Sequence, residues 1–510
     1  MDWAAPACLG PHAAGNGRRV TVGRIRIGSH AYGQTQAHGH RRPRRLRRRC
    51  AALALLVFAT AAFGLGLGGC GTRLPASTFT GGQQGNGLGP GGGSSSGSNS
   101  GSNSGSGSVF VSGVSATTIK VGMIDSITSP LGANAFSGPG YGAQAYFDAL
   151  DAAGGVDGRK IEVSQCDDSG SGLGDIQCVH QLIDTDQVFA FAGNSIFDYA
   201  GASYVSSKDV PDIGGEPIDQ AYNEYPHLYS LYGSSYPRNG TVGWNGTLYS
   251  STEIYAYFKQ KLGAHVAAVV EYNQPDSIQY GQMQAAGLRA EGYTVVTEQL
   301  DFALPDFAAA AADMKAHGVQ IVFDSIDTNG NGSLCTALDQ AGVNLIAKVT
   351  TTQSWDQTVP STYANAPKCR NVLYATSSEL NYEDTQYPQI AAFRAAMAKY
   401  FPSRAGLLSM WELDGWASAQ WLTDAVRSCG TDVTRACVES FMNSPQPYDG
   451  HGLLIPTSFT ATRPGATTDA CLNVARWQDS ADGGHGGWVT QVSDMDTNCF
   501  TVPVLASRAT

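Results

Sequence analysis

The 510-residue sequence has no H-E-x-x-H, no G-x-S-x-G elbow between a strand and a helix and no complete P-loop, so the common signatures of hydrolytic zinc, serine-nucleophile and nucleotide chemistry are missing. Its histidines, among them His180, His227, His265, His317 and His451, are scattered without metal-ligand spacing, and no C-x-x-C pair argues for zinc. Asp327-Thr328-Asn329-Gly330-Asn331-Gly332 starts like a calcium loop, but its twelfth position is Leu338 where a bidentate glutamate is needed, so a turn is expected there instead. No metal, cofactor or enzymatic activity is expected. A basic stripe with interleaved aromatics is also lacking. Residues 1–70 hold 11 Lys and Arg and one Asp, which leaves 21 basic and 42 acidic residues (32 less 11, 43 less 1) and a net charge of −21 on the remainder. Such a body is repelled by phosphate backbones, and nucleic acid is set aside as a partner.

The first hundred residues read as an address and a tether. A basic segment, residues 1–50, ends in the cluster Arg41 to Arg49, and residues 51–70 run apolar from Ala51 to Gly66 before Leu67-Gly68-Gly69-Cys70. That order resembles the signal and lipobox of bacterial lipoproteins, which implies that Cys70 is lipidated and becomes the first residue on the outer face of the cytoplasmic membrane. A single membrane anchor with a chance cysteine is the other reading of the same run. Residues 1–40 exceed what such a signal needs, consistent with a start placed too early, and the arginines suit twin-arginine export as well as the general route. Residues 71–108 are nearly all Gly, Ser and Asn and have nothing to bury. A linker of that composition and about 38 residues has a mean reach of roughly 30–35 Å.

Eight cysteines follow Cys70, and an even number in an exported chain implies disulfides. Spacing favours neighbours: Cys166–Cys178, Cys335–Cys369, Cys429–Cys437 and Cys471–Cys499.

From residue 117 the chain alternates strands and helices. Ile119 to Ile124 is a buried strand, Ala143, Tyr146, Phe147, Leu150 and Ala153 form one helical stripe, and Gly154-Gly155 ends it. Further βα units run to Leu228–Leu231, giving a lobe over 117–240. A second set, with a helix over Val242–Leu262 and strands at His265–Tyr272, Tyr293–Leu300, Val319–Asp324 and Leu345–Thr350, gives a second lobe over 241–371. The chain is expected to return to the first lobe over 372–445, from Val372–Ala375 through a long helix Trp411–Arg427. Antiparallel strands over 446–510, at Leu453–Ile455, Cys471–Trp477 and Trp488–Val492, are assigned to the second lobe. The fold class is α/β: two doubly wound parallel-sheet lobes joined by a hinge of several strands.

Ala153-Gly154-Gly155-Val156-Asp157-Gly158-Arg159-Lys160, with Asp167-Asp168 just after a strand, closely resembles the first unit of type I periplasmic solute-binding proteins. These are the branched-chain amino-acid and amide receptors of ABC importers. The resemblance spans about residues 117–500. It implies a monomeric, exported receptor that captures a small polar solute, amino-acid or amide-like, and delivers it to the transmembrane subunits of an ABC permease. A ligand-sensing subunit on the same fold, or an unrecognised cleft hydrolase, are the rival readings.

Ligands of open α/β sheets bind at the carboxyl ends of strands. The loops there supply the candidate contacts Phe136, Ser195, Phe197, Gly215 and Glu216 in the first lobe, with Trp411 on the returning helix. The second lobe supplies Tyr280, Asp327 and Gln353. Gln279-Tyr280-Gly281 matches the family's tyrosine-glycine turn, Asp327 falls near the family's contact to a ligand amino group, and Gln353 stands where the family places an acid. Two departures weaken an amino-acid specificity: Ser195 is followed by bulky Ile196 and Phe197, and Glu216 brings an acid to a loop that would receive a carboxylate.

Overall fold

The computed structural model describes residues 111–509, apart from 130–131, 134–135 and 217. The expected signal, Cys70 and the linker over 71–108 lie outside the described residues. Among the described residues no helix is long and apolar enough to cross a membrane.

Two sheets organise the body. The first holds β1 (Thr118–Asp125), β2 (Lys160–Asp167), β3 (Ala190–Asn194), β4 (Asp212–Gly214) and β5 (Leu228–Tyr229) in the parallel order β2-β1-β3-β4-β5. β1 earns its central place by sequence, since Val121 to Asp125 is buried without a break. Its helix α1 (Gly138–Ala152) places Ala143, Ala145 and Phe147 in the core and stops at Gly154 and Gly155, whose positive φ of 112° and 78° a side chain would oppose. Further on, α2 (Gly172–His180) and α3 (Ala202–Ser207) complete the first set of crossovers.

Next comes β6 (Thr247–Ser251), then α4 (Glu253–Leu262), β7 (Val266–Tyr272), α5 (Pro275–Ala290), β8 (Thr294–Leu300), α6 (Phe307–Ala316), β9 (Ile321–Ser325), α7 (Thr328–Ala341), β10 (Ala347–Thr350) and β11 (Leu373–Ser377). Strands β7 to β11 form the parallel part of the second sheet in the order β8-β7-β9-β10-β11. The helices α8 (Pro388–Tyr400), α9 (Met410–Ser428) and α10 (Arg435–Met442) then precede β12 (Thr467–Cys471), β13 (Asn473–Gln478), β14 (Gly487–Thr490) and β15 (Cys499–Arg508). β13 and β14 extend the second sheet antiparallel beyond β11, while β12, β15 and β6 form a separate antiparallel sheet.

Three local expectations are corrected. Residues 242–251 are not helical: Gly243 and Gly246 take positive φ, and the hydroxyl-rich Thr247–Ser251 pairs with β15. Leu373–Ser377 belongs to the second sheet, so the chain crosses back only after Ser377, because β10 offers its edge to a parallel partner. Leu453–Ile455 makes no regular strand; it pairs with residues 378–380 through the Glu379–Leu454 bridge and backbone bonds from Leu380 to Leu453 and Ile455 to Ser378. That pairing joins two of the three segments that run between the sheets. The third, after β5, is bonded to residue 458 through the Ser234 amide.

The four disulfides form as their spacing predicts, Cys166–Cys178, Cys335–Cys369, Cys429–Cys437 and Cys471–Cys499.

Candidate functional site

In each sheet the strand order reverses beside the first strand, between β1 and β3 and between β7 and β9, and the loops leaving those strands are where a ligand crevice belongs. In the first lobe these loops are held against the paired starts of α1 and α9. Helix α9 opens with a capping box between Ser409 and Glu412. It lies so close to α1 that a Cβ on Gly142 would meet the Glu412 carbonyl at 1.7 Å, and one on Gly415 the Pro139 carbonyl at 1.8 Å. Ser418 of α9 ties the strand tips down: its hydroxyl accepts from the Gly193 amide at 2.8 Å and donates to the Ile213 carbonyl at 2.5 Å.

That packing brings three of the expected aromatics together. Phe136 is buried, with its ring centroid 5.7 Å from Phe197 and 5.5 Å from Trp411. Phe197 remains 42% exposed, which leaves an aromatic face open beside the other two. The Trp411 indole N–H donates across to the Thr352 hydroxyl, just after β10 of the second lobe, at 3.3 Å.

Opposite this wall, the second lobe carries a cavity of about 160 Å³ lined by Tyr255, Tyr280, Gln284, Asp324, Thr350 to Thr352 and Thr376. Tyr280 projects from α5 and is 45% exposed, so it walls a cleft rather than filling a core. Burial raises its hydroxyl pKa, and so do the charges of Asp324 and, from the first lobe, Glu216. Asp324 is fully buried and ion-paired with buried Lys348 behind the cavity. The Lys348 ammonium also donates to the Asn331 side-chain carbonyl at 2.6 Å, while Asn331 Nδ2 donates back to Asp324 Oδ1 at 2.9 Å. Burial lowers the Lys348 pKa, and Asp324 opposes that shift.

Three carboxyls gather where the lobes meet. Glu216 follows β4, Asp414 lies one turn beyond Trp411 on α9, and Glu379 sits on the crossing segment after β11; all are buried. The Tyr232 hydroxyl, on the crossing segment after β5, donates to Glu216 Oε2 at 3.2 Å. Burial pushes all three carboxyls up, Glu216 to about 7 and Glu379 to about 8, and the neighbouring acids push Glu379 and Asp414 further. The Glu216 and Asp414 carboxyls hydrogen-bond to each other, Oε1 of Glu379 is buried without a hydrogen-bond partner, and none of the ion pairs among the described residues includes any of the three.

The remaining expected contacts are used differently. Ser195 is wholly buried at the tip of β3, and its hydroxyl has no partner. Gly215 serves close packing, since a Cβ there would lie 2.7 Å from Pro139. Asp327 caps α7: its Oδ1 accepts from the Asn329 and Gly330 amides at 2.9 and 3.1 Å, and its Oδ2 accepts from the Tyr272 hydroxyl at 2.8 Å. The expected turn at 327–332 is therefore the first part of a helix, and the carboxylate expected to meet a ligand amine is committed to its amides. Gln353 is half-buried in the turn Thr352–Ser354 and does not line the cavity. Among the described residues no group of His, Cys, Asp and Glu could hold a metal ion.

Residues 118–484 match the family described as periplasmic binding protein. No curated protein matches the chain. Solved structures of the same fold include the branched-chain amino-acid substrate-binding protein LivJ of Streptococcus pneumoniae in complex with isoleucine. It is 17% identical over 73% of this chain and 100% of its own, with a TM-score of 0.54. The fatty acid ABC transporter substrate-binding protein of Thermomonospora curvata is 16% identical over 78% and 98%, with a TM-score of 0.55. A solute-binding protein of an ABC transporter from R. palustris, in complex with benzoate, is 14% identical over 77% and 98%, also at 0.55. At these identities the likeness is one of fold, and with the family match over most of the sequence it has one conclusion: the chain belongs to the periplasmic binding protein family and carries the type I fold of the solute-binding proteins of ABC transporters.

Proposed function

We propose that this protein is an extracytoplasmic receptor, tied to the outer face of the cytoplasmic membrane by a lipid on Cys70, which closes its two lobes on a small polar solute and hands it to an ABC permease. The observation that carries this reading is the facing pair of walls, Phe136, Phe197 and Trp411 on one lobe and Tyr280 with Thr350 to Thr352 on the other, linked by the Trp411–Thr352 hydrogen bond. A solute touching both walls binds the closed form better than the open one and shifts the population by that difference.

Two expected results test it. The Trp411→Ala variant should bind the solute that co-purifies with the wild-type protein at least tenfold more weakly, about 1.4 kcal/mol, by calorimetry; unchanged affinity would take the aromatic wall out of the site. The Cys70→Ala variant should leave the membrane fraction. A variant that stays there, processed like the wild type, would mean that another element anchors the chain.

A further inference from the structure

We propose that the cleft takes a solute bearing a cationic group, an ammonium, amidinium or guanidinium, and that Glu216, Asp414 and Glu379 receive that group beside the aromatic wall. The inference deepens the capture reading and rests on it.

A buried carboxylate is normally matched by a cation or by several donors. Lys348 matches Asp324 in this way, and Arg404 matches Glu412 one turn from the cleft. The three carboxyls at the lobe junction have no such match. The charged groups acting on them are one another and, for Asp414, also Glu412; no Lys, Arg or His is among them. Their hydrogen-bond deficit is one of donors: Glu216 and Asp414 bond to each other, carboxyl to carboxyl, and Oε1 of Glu379 stands without a partner. On the opposite side Gln284 is nine-tenths buried, lines the cavity, donates its amide Nε2 to the Asp324 carbonyl at 3.0 Å and meets the Tyr280 hydroxyl. What the carboxyl side of the cleft lacks is N–H donors carrying positive charge.

The neighbouring aromatics fit the same group. The negative faces of Phe and Trp rings attract cations, and the exposed face of Phe197 joins Phe136 and Trp411, the last of which shares α9 with Asp414. The Trp411–Thr352 hydrogen bond ties α9, with Asp414 one turn along it, to a residue that lines the cavity. An acidic body further concentrates cations near its surface. A carboxylate-only solute such as benzoate, by contrast, would meet three acids.

The charge of the solute decides the matter. Native mass spectrometry of the protein purified from its producing cells, followed by identification of the released compound, should find an organic cation. A neutral or purely anionic compound overturns the cation assignment and leaves solute capture standing, whereas a protein that carries and binds no compound of any class overturns both.

Benzamidinium, benzamide and benzoate provide an independent arm, because they share one shape and differ in charge. Calorimetry at pH 7.5 should show benzamidinium binding at least tenfold more tightly than the other two. It should also release protons, seen as a dependence of the measured heat on the ionisation enthalpy of the buffer. The Glu216→Gln, Glu379→Gln double variant should lose both the preference and the release. Benzamide or benzoate binding as well as benzamidinium, or benzamidinium binding with no proton release, would mean that the three acids serve the fold alone.

Discussion

Replacing Lys348 by methionine should destabilise the body by about 3–5 kcal/mol, because it strands a buried carboxylate. Lys348 and Asp324 are each wholly buried, so water cannot stand in for the lost ammonium. Among the described residues the only other side-chain donor to Asp324 is the Asn331 amide, itself bonded to Lys348 in the native protein. Methionine keeps the length and bulk of the side chain and removes the charge, which confines the loss to electrostatics and hydrogen bonding. The double variant Lys348→Met, Asp324→Leu should be more stable than the single one, since a buried pair replaced by apolar groups of similar volume costs little. Urea unfolding of the solute-free protein measures both. A single-variant loss below about 1 kcal/mol would show that the pair does not hold β9 to β10.

The second large effect is with pH. The solute-free protein should lose thermal stability steadily from about pH 5 to pH 8, by roughly 5 °C or more. Buried acids at both the cleft and the first-lobe core have raised pKa values. Burial pushes Glu216 to about 7, Glu379 and Asp175 to about 8 and Asp212 to about 6, with Asp125 and Asp414 raised as well. In the unfolded chain such groups lose their protons near pH 4. Between that value and the folded one, the native state binds more protons than the unfolded state, so its stability is complete below the unfolded pKa and is lost as pH rises through the folded one. His227, raised by the Glu439 carboxylate at its ring, contributes with the same sign. Asp167 and Asp479, lowered by hydrogen bonds and, for Asp479, by Arg370, act oppositely and set the acid limit, since their contribution is lost as pH falls through their folded values. Melting curves across this range check the trend. The Glu216→Gln, Glu379→Gln variant should flatten it, and an unchanged slope would assign the effect to the core acids alone.

The βα alternation, the Gly154-Gly155 helix stop, the local disulfides and the α/β class are legible in the sequence, because each depends on near neighbours: a periodic stripe, a left-handed cap, a short loop between cysteines. What escapes is set by partners distant in sequence. Thr247–Ser251 is a strand only because β15 lies beside it more than 250 residues later, and Leu373–Ser377 joins the second sheet because β10 offers an open edge. The site divides along the same line. Phe136, Phe197 and Trp411 carry enough bulk at strand and helix ends to be singled out, and the structure packs them together. Asp327 looks like a contact because it follows a strand, yet the same position makes it a helix cap, and Asn329 and Gly330 supply the amides that claim it. Asp324, Glu379 and Asp414 give no local signal; their meaning comes from the absence of a partner, or the presence of one, on another element. Asp414, three residues after Trp411 in a strongly capped helix, is the one of these that helical spacing could have placed on the cleft side.

Small-angle scattering tests the capture mechanism most directly. The mature protein, freed of co-purified solute and then saturated with it again, is predicted to become more compact, with a smaller radius of gyration in the bound state, and the Trp411→Ala variant should show a smaller contraction at equal solute concentration. A fully occupied protein with the same radius of gyration as the solute-free one would contradict closure of the two lobes on their solute.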